Sequence, residues 1–66
     1  MRVELNGEPK ELPEGATLLS LIEQLSLAPE RVAVELNHDV VRRADWPAVQ
    51  LSDGDRVEIV HFVGGG

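Results

Sequence analysis

Sixty-six residues make one small domain, a size that buries only about 60% of its unfolded surface and carries roughly 3–10 kcal/mol of stability. The net charge of −6, from twelve acidic residues against six Lys and Arg, argues against nucleic acid and suits partners with basic docking surfaces. With no cysteine there is no disulfide, thiolate nucleophile or cysteine metal site, and the charged start "MRVELNGE" leads us to expect a soluble, cytoplasmic chain with no signal peptide or membrane span.

Met1, Val3 and Leu5 alternate with Arg2 and Glu4, and Asn6-Gly7 follows, which predicts a strand entering a tight hairpin. The return arm, 8–12, contains Pro9, which cannot donate to a sheet ladder and so marks an edge strand. Residues 13–15 break the pattern. Thr17 can cap a helix with apolar positions Leu18, Leu21, Ile22 and Leu25, widened by Leu19, with Glu23 and Gln24 facing water and an end near Ser26. Such a single apolar stripe needs a sheet to lie on.

After "SLAPER", Val32, Val34 and Leu36 alternate with Ala33 and Glu35, Asn37-His38-Asp39 turns the chain, and Val40-Val41 starts a short return strand. Asp45-Trp46-Pro47 is a bend whose tryptophan plugs the open end of the core. "LSDGD" is a turn, and 56–63 forms the last strand. No internal repeat or linker is read in this order, and hairpin, helix, two strands and a final strand make an α+β roll: a mixed sheet of about five strands crossed by one main helix. Its core sets Leu21, Ile22 and Leu25 against Val3, Leu5, Val34, Val57 and Ile59.

Neither imidazole offers an active site. His38 falls in a turn, His61 alternates within a strand, and no motif brings Ser20, Ser26 or Ser52 to either with an orienting acid. Two histidines without spaced carboxylates do not make a metal site, and the only glycine run is not a phosphate loop. The last strand says more. If Val57 and Ile59 face the helix, Val60 and Phe62 share the solvent side with Glu58, beside the terminal "VGGG". They form either a docking surface or a patch covered by a loop. The glycines are either a frayed end or a slim terminus, since three extended residues reach about 10 Å with no side chain to block a narrow channel.

The segments "VELNGE", "LLSLIEQL", "VAVELNHDVVRRADW" and "LSDGDRVEIVHFVGGG", in this order and length, resemble the ThiS-type sulfur carrier proteins of thiamin biosynthesis, which are ubiquitin-like β-grasp proteins. The resemblance implies a β-grasp domain over 1–63 and a flexible tail over 64–66. It also implies a carrier rather than an enzyme, with no bound cofactor. An E1-like adenylyltransferase of the ThiF type would use ATP to activate the Gly66 carboxylate. Sulfur from a cysteine-derived persulfide would then form a thiocarboxylate, and a thiazole synthase of the ThiG type would accept it. In this reading Gly64 and Gly65 occupy the partner's channel, and Val60, Phe62 and Val63 dock the body. The alternatives are the small subunit of molybdopterin synthase, which shares fold and terminus, and a ubiquitin-like modifier that forms isopeptide bonds. An acyl carrier protein should be all helical with a serine after aspartate, whereas Ser20 follows Leu19.

Overall fold

The computed structural model describes residues 1–62. In chain order these form β1 (Arg2–Leu5), β2 (Glu8–Glu11), α1 (Leu18–Gln24), a 3₁₀ turn (Pro29–Arg31), β3 (Val32–Leu36), β4 (Asp39–Val41), a longer 3₁₀ helix (Arg43–Ala48) and β5 (Arg56–His61). The strands make one five-stranded sheet in the order β2-β1-β5-β3-β4. β5 runs parallel to β1 and antiparallel to β3, and both hairpins are antiparallel. This is the expected ubiquitin-like β-grasp: a mixed sheet with one α-helix across it among the described residues.

Local chemistry explains the hairpins. Asn6 and Gly7 both have positive φ (49° and 84°), the signature of a type I′ turn whose twist matches the strands it joins. The second hairpin repeats this with Asn37 at 52° and His38 at 74°. The two share more than geometry: Val3-Glu4-Leu5-Asn6 and Val34-Glu35-Leu36-Asn37 are the same four residues, each opening a hairpin beside β5. The sequence reading missed this repeat, because it is too short to register without the sheet order. Pro9 lies on β2 at the sheet edge, where a missing N–H leaves no gap in the ladder.

The helix begins on a reciprocal cap. The Ser20 backbone N–H donates to Thr17 Oγ1 (3.1 Å) and the Thr17 N–H to Ser20 Oγ (2.9 Å). It ends at Gln24 with Leu25 as the cap, short of the expected Ser26, which has left-handed backbone (φ 58°). The return arm of the first hairpin likewise stops at Glu11, although the Leu12 N–H still donates to the Met1 carbonyl (2.8 Å). β5 as a strand stops at His61, and Val63, placed in it from sequence, lies outside the described residues.

The buried core joins Leu18, Leu21 and Ile22 of α1 to Val3, Val32, Val34 and Val57 of the sheet. Leu5, Leu25 and Ile59 pack against it half-buried. Leu12, Ala16 and Leu51 also belong to it, held by a backbone bond from the Leu51 N–H to the Ala16 carbonyl (2.8 Å). Trp46 closes the end as expected, but on a 3₁₀ helix rather than a bend, with its indole Nε1–H donating to the Val41 carbonyl (2.9 Å). Leu21 is wholly buried under the helix, so Leu21→Ala is expected to cost about 2–5 kcal/mol in chemical denaturation. An unchanged midpoint would show that α1 does not cover the core.

Candidate docking face and the exit of the last strand

The sheet face away from α1 changes character along β5. At its start Arg56 pairs in register with Glu4, and their side chains form an ion pair at 3.5 Å. Two residues on, Glu58 stands opposite Glu35 of β3. Two further, Val60 stands opposite Ala33. Phe62 follows, its N–H donating to the Arg31 carbonyl at 2.7 Å. Strand alternation puts these side chains on one side.

Val60 is 58% exposed and Phe62 52% exposed, so no described segment covers them, and Val40 of β4, opposite Glu35, is 73% exposed. The structure therefore keeps the sequence-predicted pair together on the open face and adds Val40 and Ala33. Both were legible as outward positions by alternation, but only the strand order sets Ala33 beside Val60 and Val40 one strand further out, beside Glu35. Val63, Gly64, Gly65 and Gly66 lie outside the described residues.

Two asparagine side chains fix the strand that leads to these residues. Ile59 N–H donates to Asn6 Oδ1 (2.8 Å), while Asn6 Nδ2 donates to the Ile59 carbonyl (3.4 Å). An amide side chain thus takes the place of a neighbouring peptide where β1 has already turned away. On the other flank Arg56 N–H donates to Asn37 Oδ1 (2.9 Å), and Asn37 Nδ2 donates to Asp55 Oδ1 (3.1 Å). Sequence reasoning saw both asparagines only as turn formers. Their recurrence in "VELN" was the available signal.

His38 and His61 are both exposed. Among the described residues no group of three His, Asp or Glu is placed to hold a metal ion, and no helix is long and apolar enough to cross a membrane. Among the described residues the arrangement offers no nucleophile paired with a base. It offers an open apolar face at the end of a strand held from both sides.

The ThiS family profile matches residues 3–66. The sulfur carrier protein ThiS of Thermus thermophilus is 42% identical over 62 residues, 94% of this chain and 95% of that protein. A thiazole synthase of Magnetococcus marinus is 50% identical over 66 residues, so that the chain spans about a fifth of its length (20%). The crystal structure of a thiamine biosynthesis protein (ThiS) from Geobacter metallireducens is similar at a TM-score of 0.85 and 38% identity, with all of both chains covered (100% each).

Asn6→Gly separates the clamp from the turn, because glycine keeps the positive φ and loses only the amide. We expect a loss of about 1–3 kcal/mol, the cost of stranding polar groups. Hydrogen exchange at the Ile59 amide should accelerate more than at Val57. Equal protection at both would place the clamp outside the ladder's stability.

Proposed function

The chain belongs to the ThiS family, and we propose that it carries sulfur as a thiocarboxylate on Gly66 for thiazole formation in thiamin biosynthesis. The observation that carries this reading is the double likeness: the chain aligns along its length with a protein named as a sulfur carrier and with a segment of a protein named as a thiazole synthase. A carrier domain found within its acceptor's chain supports the thiamin reading over the molybdopterin sibling.

The proposed chemistry needs a partner. A carboxylate is a poor electrophile at neutral pH, so one of its oxygens attacks the α-phosphorus of ATP in an E1-like, ThiF-type enzyme and pyrophosphate leaves. The outer sulfur of a cysteine persulfide then displaces AMP at the acyl carbon to give an acyl disulfide. A second thiol attacks the cysteine sulfur of that disulfide, forming a new disulfide and releasing the thiocarboxylate. ATP belongs to the partner, and the carrier contributes a terminus that fits where side chains do not. Ordering Gly64, Gly65 and Gly66 in a channel costs roughly 3–6 kcal/mol at about 1–2 kcal/mol per residue. A contact elsewhere on the body must offset that, and the exposed pair Val60 and Phe62, with Val63 next in sequence, is the surface proposed to make it.

Three variants test the reading. One alanine added after Gly66 moves the carboxylate by about 3.5 Å, and a misplacement of even about 1 Å can cost on the order of a hundredfold. Gly65→Val keeps the end point but widens the channel residue with a branched side chain. Both should fold with stability within about 0.5 kcal/mol of the parent and lower ATP–pyrophosphate exchange by the adenylating enzyme at least tenfold. Phe62→Ala should weaken binding in calorimetry with the same melting temperature. Normal exchange by the extended chain would remove Gly66 as the activated group. The intact mass of the protein from thiamin-producing cells should show one oxygen replaced by sulfur.

A further inference from the structure

The last rungs of β5 are held unevenly. The Phe62 N–H bonds to the Arg31 carbonyl and Val60 stands opposite Ala33, so the β3 side accompanies the strand to its end. On the other flank β1 stops early: its register pairs are Glu4–Arg56 and Leu5–Val57, and the chain then turns at Asn6 and Gly7. Backbone bonds on this flank fall at Asp55, which accepts from the Glu4 N–H, and at Val57, which accepts from the Asn6 N–H. The next is Ile59, whose N–H donates to Asn6 Oδ1 at 2.8 Å. Among the described residues Ile59 is the last position of β5 bonded on that side. It lies one residue before Val60 and three before Phe62. Asn37 supplies an internal comparison. It ends the same Val-Glu-Leu-Asn run with nearly the same backbone (φ 52° against 49°), yet it grips the strand's entry, accepting from the Arg56 N–H at 2.9 Å.

We propose that Asn6 is a positioning residue for the carrier: through Ile59 it holds Val60 and Phe62 in the arrangement that the adenylating enzyme binds. This rests on the carrier reading above and adds to it a residue that touches neither the tail nor the partner. A strand end bonded on one side opens more readily than one held on both. Val60 and Phe62 are exposed, so burial does little to hold them in place. A surface that is ordered for only a fraction of the time binds with an affinity reduced by that fraction. The amide is remote from the reacting carboxylate, so it sets how much of the carrier is competent to dock and leaves the chemistry after docking alone. Asn37 makes comparable bonds at the far end of the strand and has no such effect.

The test compares Asn6→Gly with Asn37→Gly as substrates in ATP–pyrophosphate exchange by the ThiF-type adenylating enzyme of the same organism, well below both melting transitions. Each substitution keeps a residue suited to positive φ and removes one amide. Asn6→Gly should raise the KM for the carrier about fivefold to tenfold with kcat unchanged, while Asn37→Gly stays within about twofold of the parent. Asn6→Asp keeps the oxygen that accepts the Ile59 N–H and should restore KM to within about twofold. Equal effects of the two glycine variants would reduce Asn6 to a general stabiliser and overturn the proposal. So would a parental KM in Asn6→Gly, or a loss confined to kcat. A second measurement needs no variant: because docking and clamping are linked, saturating enzyme should slow hydrogen exchange at the Ile59 amide of the wild-type chain. Unchanged exchange there would overturn the proposal even if Asn6→Gly failed to fold. When wild type supports pyrophosphate exchange, these contrary results remove only the positioning role. A wild-type chain that supports none removes the carrier reading and this role together.

Discussion

The backbone of β5 is the element on which the rest of the sheet depends. It is paired on both sides, parallel to β1 and antiparallel to β3, and among the described residues it is the strand through which the two hairpins are joined in the sheet. The parallel side is short, with register pairs only at Glu4–Arg56 and Leu5–Val57, against five on the β3 side. The Asn6 amide lengthens the short side by supplying to Ile59 the donor and acceptor that a longer β1 would have supplied. A central strand with one weak flank would open there first, at the end from which the tail departs. The clamp holds that end without adding a strand residue.

The two faces of the sheet divide the work. Val3, Val34 and Val57 turn inward under Leu21 and Ile22 and hold the fold together. The opposite face adds little to stability and varies along its length from ion-paired, through uncompensated acid, to apolar. Buried and exposed positions thus alternate along β5. The outward positions are free to vary in character because the inward ones already carry the core.

Much of this was legible in the chain. Asn6-Gly7 forces a hairpin because few other residues accept its backbone, and the spacing of Leu18, Leu21, Ile22 and Leu25 admits one buried helical face. The failures have physical causes. Leu12, Ala16 and Leu51 lie on irregular segments, so no period announces their burial. Pro47 sits inside a 3₁₀ helix that looked like a bend, since a proline there reads as a breaker. The opposition of Glu35 and Glu58 needs register between strands separated by a long connection, and alternation within each strand cannot supply it. The apolar character of Val60 and Phe62 was visible, whereas their neighbours across the sheet were not.

The position of β5 also has a consequence for how the molecule comes into being. The strand at the centre of the sheet is the last to leave the ribosome, and one neighbour, β1, is the first. Until synthesis has passed His61 the nascent chain holds two separate two-stranded ribbons, which are at best marginal in water. Closing the sheet then joins Glu4 to Arg56 across nearly the whole chain, a slow, non-local step. A prematurely terminated chain thus has neither a closed sheet nor the face built on it. Whatever follows His61 is joined to a closed sheet only once translation has passed the central strand.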